Sequence, residues 1–283
     1  MSVVIDTHTH AISPDKQRYP VAPVGGHQSE WSVKRPVSFE ALLASMDEAG
    51  IDRAVVVQAS TVYGNDNSYV VEAVRSHRDR FAGVFSVDVL ASDAVTQMQR
   101  WLDAGLCGLR LFTTGSTMPG QAGWLDDERS FPVWEYAQQH EVSICLQMTA
   151  QGIPALLNML TRFPGIRVLL DHLARPELAG GPPYEAAAPL FSLAPHRGVY
   201  LKLTNRTIAE AARGASTPAA FFPRVLEAFG ADRIAWGSNF PAAEGALPQL
   251  LADARESLAM LPADARAAIF GGTALAIYPA LSA

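Results

Sequence analysis

Cysteine is scarce in this chain, since only Cys107 and Cys145 occur among 283 residues, each within an apolar, strand-like run. Two such residues do not make the disulfide framework of a small secreted protein, and we expect buried, reduced thiols. A long apolar run is also lacking, because no stretch approaches the roughly 20 residues of a membrane helix. No basic and apolar leader precedes the first strand. We therefore expect a cytoplasmic protein without a membrane partner.

Positive charge is in short supply as well. The 22 Lys and Arg residues are outnumbered by 28 Asp and Glu residues, which gives a net charge of -6. Proteins that hold nucleic acid through phosphate contacts are normally basic, so we expect no nucleic-acid partner. Hydrophobic residues make up 49% of the chain and charged residues 18%, as in a folded protein with a substantial core. The length suits a single α/β barrel, and we predict one domain over residues 1–283.

The first apolar, β-branched run of the chain leads directly into His8 and His10. Alternate side chains of a strand share one face, so both imidazoles point to the same side. Two imidazoles at the end of a buried strand can bind one cation or one substrate oxygen. The alternative is a chance polar strand end.

Seven further apolar runs follow, separated by stretches with helical signals. Ser38, for example, is a good N-cap for a helix that Gly50 would end. We predict strands that end near eight residues: His8, Ser60, Asp88, Phe112, Gln147, His172, Thr204 and Asn239. Strands and helices that alternate in this way predict a (β/α)₈ TIM barrel. An open doubly wound sheet is less well supported, because no glycine-rich phosphate turn follows an early strand.

The chemistry of such a barrel gathers at the carboxyl ends of its strands. Three histidines are predicted there, His8, His10 and His172, together with Asn239. Three imidazoles suit Zn²⁺ or a similar ion with water in an open position. Without a cation, the same imidazoles could donate hydrogen bonds that polarise a carbonyl group. The sequence leaves both alternatives open.

Cationic side chains form a second set at the predicted strand ends: Arg110, Lys202 and Arg206, with Ser60 beside them. No acidic cluster lies nearby in the sequence to pair with all three cations. We therefore predict that these four residues bind substrate, and that the cations contact a carboxylate or phosphate group. The alternative is that each cation pairs with a neighbouring Asp or Glu in a structural salt bridge.

Three segments of the chain resemble the amidohydrolase superfamily, in its TIM-barrel amidohydrolase 2 branch. They are Ile-Asp-Thr-His-Thr-His at 5–10, Leu-Asp-His-Leu-Ala-Arg-Pro at 170–176 and Arg-Ile-Ala-Trp-Gly-Ser-Asn-Phe-Pro at 233–241. Within that branch the chain is most similar to the 2-pyrone-4,6-dicarboxylate lactonase group, through residues 57–60, 65–67 and 108–111. The resemblance implies hydrolysis of a lactone, or of a related C–O ester bond, in a small carboxylated molecule.

The resemblance also implies roles for single residues. His8, His10 and His172 match histidines that bind a metal or orient the carbonyl, and Arg110 matches a contact to the substrate carboxylate. The last strand of the family normally ends in an Asp that activates water, whereas this chain has Asn239. An amide cannot ionise and so cannot act as a general base. Because a negative ligand is lost, we expect a divalent metal, Zn²⁺ first, to bind weakly or not at all.

Several alternatives stay open at this point. Water could be activated by another carboxylate, Asp6, Asp88 or Asp171, or by a metal alone. The protein could instead be a non-oxidative decarboxylase or lyase of the same branch, a hydrolase of another bond type, or a barrel that binds an acidic ligand without catalysis. The oligomeric state is also open, and a homo-oligomer is compatible with the sequence.

Overall fold

Eight parallel strands form the centre of the computed structural model, which describes residues 2–118 and 120–282. The strands pair in chain order, and each neighbouring pair from first to last is parallel. Their bounds are β1 (Ile5–Thr9), β2 (Arg53–Val57), β3 (Phe81–Ser86), β4 (Gly108–Phe112), β5 (Ser143–Gln147), β6 (Val168–Asp171), β7 (Val199–Thr204) and β8 (Ile234–Gly237). The predicted (β/α)₈ TIM barrel is confirmed, and the strand ends lie within a few residues of the predicted ones.

The barrel closes between β1 and the segment that follows β8. Thr9 forms a parallel bridge to Phe240, and the backbone N–H of Asn239 donates to the carbonyl oxygen of His8 at 2.8 Å. The first and last strands therefore meet next to two of the predicted site residues.

A buried carboxylate strengthens this closure. Asp6 Oδ1 accepts the backbone N–H of His8 at 3.0 Å and that of Ser238 at 2.8 Å. Burial raises the pKa of the Asp6 carboxyl to about 6, because the charged form is poorly solvated there. We call the contacts of Asp6, His8 and Thr9 with residues 238–240 the closing seam.

Helices connect the strands and cover the outside of the barrel. Ser38 caps α2 as predicted, since its side chain accepts the backbone N–H of Ala41, and Gly50 ends that helix in a left-handed conformation. No helix in the described ranges is long and apolar enough to cross a membrane. The α-helices are α1 (Glu30–Lys34), α2 (Phe39–Ala49), α3 (Ser60–Tyr63), α4 (Ser68–Ser76), α5 (Ala94–Asp103), α6 (Phe131–Gln139), α7 (Ile153–Arg162), α8 (Ala188–Phe191), α9 (Asn205–Ala211), α10 (Pro218–Phe229), α11 (Leu247–Ser257), α12 (Ala263–Ala267) and α13 (Thr273–Ile277).

Below the polar strand ends, an apolar cluster fills the barrel. Ile5, Val55 and Leu169 belong to it, and Tyr278, which follows α13, packs against them. Cys145 lies in the same cluster and is fully buried, whereas Cys107 is half-buried; both thiols are free. With this end of the barrel filled by side chains, a ligand can enter only at the opposite end.

Candidate active site

A cavity of about 340 Å³ opens at the carboxyl end of the barrel. We call it the active cavity. No Asp or Glu of the described residues lines it, so its wall consists of cationic, neutral polar and apolar groups. Six of the predicted site residues contribute to this wall: His10, Ser60, Arg110, His172, Arg206 and Asn239.

The three predicted histidines converge at this end of the barrel. The ring centre of His8 lies 4.9 Å from that of His10 and 5.3 Å from that of His172. His10 and His172 line the active cavity, while His8 is buried and does not. Burial lowers the pKa of His10 and of His172 to about 3, and that of His8 well below its usual value. All three imidazoles are therefore neutral at neutral pH.

His10 is fixed in one tautomer. Its Nδ1 lies 2.8 Å from the carbonyl oxygen of Val57. A carbonyl oxygen can only accept, so Nδ1 carries the proton and Nε2 keeps its lone pair. The ring also stacks on Trp31, with 5.4 Å between the ring centres. His10 thus offers the active cavity a well-oriented proton acceptor.

His172 belongs to an unusual left-handed turn. His172, Leu173, Ala174 and Arg175 all have positive φ angles, of 56°, 54°, 57° and 53°. This conformation costs about 1–2 kcal/mol for each L-residue. Burial of the Leu173 and Ala174 side chains offsets that conformational cost. The turn places both His172 and Arg175 in the wall of the active cavity.

Beneath the active cavity lies a buried cluster of charges around Asp171. Its Oδ1 lies 2.9 Å from Lys202 Nζ and 3.4 Å from His8 Nδ1, and its Oδ2 lies 3.4 Å from Arg110 Nε. Burial alone would raise the pKa of the Asp171 carboxyl, but the positive charge of Lys202 and the contact with His8 hold it well below its usual value. Asp171 is therefore ionised at neutral pH, and its two oxygens face Lys202 and Arg110 rather than the active cavity.

Lys202 lies deeper in the barrel than the other predicted substrate-binding residues. Its side chain is fully buried and does not line the active cavity. It forms the salt bridge to Asp171 instead, and its Nζ also lies 3.3 Å from Cys145 Sγ. The alternative of a structural salt bridge holds for this residue, because the lysine lies too deep in the barrel to reach the opening.

Arg110 is held from several sides and still forms part of the cavity wall. Its Nη1 donates to the carbonyl oxygen of Gln58 at 3.1 Å, and its Nη2 donates to Gln147 Oε1. With Nε facing Asp171, the guanidinium has little freedom to reorient. A substrate that contacts Arg110 therefore meets a cation whose position is fixed before binding.

Two further arginines of the active cavity lack an anionic partner. Neither Arg175 nor Arg206 forms a salt bridge with an Asp or Glu within the described residues. Burial and the charge of Arg206 lower the pKa of Arg175 to about 10, which still leaves it protonated at neutral pH. Arg175 was not predicted as a site residue, although it lies inside the segment 170–176 that carried the family resemblance. The active cavity thus has positive charge that an anionic ligand can neutralise.

The carboxylates considered as replacements for the missing Asp lie away from the active cavity. Asp88 is exposed and does not contribute to its wall. Asp171 is bound by cations, and Asp6 is engaged in the closing seam. Asn239 does line the active cavity, with a φ of 61° that Asn tolerates better than most residues.

The described residues show no assembled metal site. Among the described residues, no three His, Cys, Asp or Glu side chains come together in a way that could hold an ion. The ring of His8 faces Asp171, which already pairs with Lys202 and Arg110. The surrounding arginines would also repel a cation.

The sequence matches the model of a protein family described as amidohydrolase over residues 5–280. This chain belongs to the amidohydrolase family. It is a hydrolase with 29% identity to an L-fucono-1,5-lactonase of Burkholderia ambifaria, over 86% of this chain and 84% of the relative. A 2-pyrone-4,6-dicarboxylate hydrolase of Comamonas testosteroni is 27% identical over 84% of this chain and 76% of its own length.

Among solved structures, an amidohydrolase of Burkholderia multivorans with bound zinc superposes with a TM-score of 0.75. It is 21% identical, and the match covers 98% of this chain and 99% of that one. At this identity the likeness concerns the fold alone. The zinc is a property of that protein.

Proposed function

We propose that this amidohydrolase hydrolyses a lactone, or a related ester bond, in a small carboxylated molecule. The observation that carries the proposal is the wall of the active cavity, where Arg175 and Arg206 lie beside neutral histidines and no Asp or Glu of the described residues competes for them. The names of the two curated relatives, a lactonase and a dicarboxylate hydrolase, support the same bond type and an acidic substrate.

In the proposed mechanism the arginines bind and the histidine accepts a proton. Arg175 and Arg206 hold the substrate carboxylate, and Arg110 stabilises the negative charge that develops on the carbonyl oxygen. His10 Nε2 takes the proton of the attacking water, which the Asn239 amide holds by a hydrogen bond. His10 then gives that proton to the ring oxygen, so that the bond between this oxygen and the carbonyl carbon breaks and the products are a hydroxyl group and a new carboxylic acid, which loses its proton to solvent.

His8 and Asp171 act from beneath the active cavity in this proposal. The Asp171 carboxylate fixes Arg110 and Lys202, and its contact with His8 keeps that ring in place below His10. This positioning role is consistent with the place of Asp171, whose oxygens face Lys202, His8 and Arg110 and do not line the active cavity.

The test uses matched lactones with and without a carboxylate group. Arg206→Ala should lower kcat/KM for the carboxylated lactone roughly 10- to 100-fold, because a charge-assisted hydrogen bond is lost. The neutral lactone should be hydrolysed equally slowly by both proteins. Arg197→Ala is the control, since Arg197 is exposed and pairs only loosely with Asp232, at 3.7 Å.

Two results would contradict the proposal. One is that neutral and carboxylated lactones are hydrolysed equally well, with Arg206→Ala no worse than Arg197→Ala. The other is release of CO₂ from a carboxylated ring without incorporation of ¹⁸O from labelled water, which would indicate a decarboxylase instead.

A further inference from the structure

A second cavity of about 260 Å³ adjoins the active cavity. Ser60, Arg110 and Phe112 line both cavities, so the two spaces are neighbours that share one wall. We call the second space the side chamber. The mechanism proposed above does not use it.

Apolar side chains provide most of the wall of the side chamber. An apolar cavity of about 150 Å³ is enough to hold a benzene molecule, so the side chamber has room for an aromatic ring or a short alkyl chain. Its apolar members come mainly from the loops that follow β3 and β4: Val24, Val87, Val89, Leu90, Met118 and Trp124.

The ring of Phe112 forms a fixed boundary between the two spaces. The guanidinium carbon of Arg110 lies 5.2 Å from the centre of that ring. Gly115, in the wall of the active cavity, packs against it, and a Cβ atom at this position would lie 2.1 Å from Phe112 Cζ. Any other residue at 115 would displace the ring, so this glycine is part of what shapes the boundary.

The active cavity and the side chamber differ in the charged residues of their walls. The active cavity contains Arg175 and Arg206, whereas the side chamber has the exposed carboxylate of Asp88 in its wall. Arg110 lines both spaces, so the additional charges of Arg175 and Arg206 make the active cavity the more attractive of the two for an anionic group. A molecule with one acidic end and one apolar end would therefore bind in a single orientation.

We propose that the side chamber is a subsite for an apolar substituent, and that the preferred substrates are carboxylated lactones that carry an alkyl or aryl group. This inference rests on the proposed lactone hydrolysis for its chemistry. It goes beyond that function in naming a hydrocarbon group as the feature by which the enzyme selects its substrate.

The experiment compares a carboxylated lactone with its methyl, propyl and pentyl derivatives. For the native enzyme, kcat/KM should rise roughly threefold to fourfold for each methylene group that enters the side chamber. Leu90→Trp should abolish this rise by filling the chamber, and should leave hydrolysis of the unsubstituted lactone unchanged. Trp124→Ala should extend the rise to longer chains.

Val33→Trp is the matched control. Val33 is exposed and lines another cavity, of about 290 Å³, which shares no residue with the active cavity. This variant adds the same large side chain at a distant apolar surface and should keep the chain-length dependence of the native enzyme.

The outcomes separate this inference from the proposed function. If the unsubstituted lactone is hydrolysed but alkyl groups bring no gain, or if Leu90→Trp keeps the gain, the side chamber is not a substrate subsite. If no lactone is hydrolysed, the proposed function fails, and calorimetry with butanoate, hexanoate and octanoate tests the chamber directly. Affinity that grows with chain length and is lost in Leu90→Trp would support it, and equal affinities would overturn it.

Discussion

Asn239 follows β8 at the position where the resemblance of the sequence implies a carboxylate. Asn239 lines the active cavity, and its backbone conformation suits Asp as well as Asn. Asn239→Asp would place an ionisable base beside the bound substrate. It would also add a negative charge next to the arginines that we expect to bind the substrate carboxylate.

We therefore expect Asn239→Asp to raise both kcat and KM for a carboxylated lactone. A positioned general base contributes typically about 10²–10⁴-fold, so a tenfold or larger increase in kcat is within reach. Steady-state kinetics on carboxylated and neutral lactones would separate the two effects, because only the carboxylated substrate should show the higher KM. Unchanged kinetics on every lactone would mean that β8 takes no part in the chemistry.

His10 is the proposed base, and its pKa gives a pH dependence that can be checked. Burial lowers that pKa to about 3, so the lone pair of Nε2 is available at all pH values well above 3. The rate should stay level as the pH falls and decline only near pH 3. If Asp6 were the base, its pKa of about 6 would cause the decline near pH 6 instead.

His10→Gln should lower kcat roughly 10²–10⁴-fold, in line with the loss of a general base. A stopped-flow assay from pH 4 to pH 8 on both proteins measures the pH dependence and the loss of rate together. The exposure to acid in this assay is brief, so a protein that is unstable in acid can still be measured. A decline of the native rate centred near pH 6 would argue against His10.

For single residues, the sequence indicated which side chains face the barrel interior but not how far below the opening they lie. Strand alternation placed Lys202 on the inner face, two residues before the end of β7. That offset puts its ammonium group beneath the opening, where Asp171 binds it. Arg175 was not predicted for a different reason. It reaches the active cavity through a left-handed turn that contains no glycine, so the sequence carries no local signal of that turn.

The left-handed turn of residues 172–175 gives a prediction at the scale of an element. A glycine has no Cβ and adopts positive φ without strain, but it loses more backbone entropy on folding than alanine does. Because these two effects oppose each other, Ala174→Gly should have little net effect on the free energy of unfolding. Ala137 is an equally buried alanine within α6, and Ala137→Gly should cost about 1 kcal/mol or more.

Urea unfolding of the two glycine variants, followed by circular dichroism, would measure this difference. Ala174→Val serves as the opposite test, since a β-branched residue is poorly tolerated at positive φ. Equal destabilisation by Ala174→Gly and Ala137→Gly would show that the turn stores no strain.

Other elements illustrate what local sequence can and cannot predict. The cap residues Ser38 and Gly50 fixed the bounds of α2 correctly, because capping is a local interaction. Near the end of the chain, α12 stops at Ala267 and the backbone continues as a π-helical segment, Ala268–Gly272. There Gly271 lies against the N-terminal chain, and a Cβ atom would be 2.1 Å from the carbonyl oxygen of Val3. This contact is distant in sequence and leaves no local signal.

For the whole molecule, Asp6 in the closing seam predicts how stability depends on pH. Its pKa of about 6 exceeds the value of 3.8 expected for an unfolded chain. Between these values the folded protein binds more protons than the unfolded one, so this group adds stability as the pH falls from about 6 to about 4. Asp171 works in the opposite sense, because its lowered pKa adds stability that is lost as the pH falls below about 3.8.

Asp6→Asn should keep both backbone hydrogen bonds, since the amide oxygen can accept them, and should remove the part of the pH dependence between about 6 and 4. At pH 8 the variant should be at least as stable as the native protein. Asp171→Asn is the contrasting variant, and it should be destabilised by about 3–5 kcal/mol at pH 8 because Lys202 would be left buried without its partner. Chemical denaturation from pH 4 to pH 8 measures all three proteins, and a native-like pH slope in Asp6→Asn would contradict this assignment.

The closing seam also determines when during its synthesis the protein can acquire activity. The hydrogen bond from Ser238 to Asp6 joins residues 232 positions apart, and Asn239 reaches the active cavity only after β8 has docked. A nascent chain that has completed seven strands already carries His10, Arg110, Arg175 and Arg206, but it has no closed wall to hold them around a ligand. Catalytic activity therefore cannot increase gradually as the nascent polypeptide is elongated. It begins only when the last strand leaves the ribosome, so chains left incomplete by stalled translation have no working active cavity.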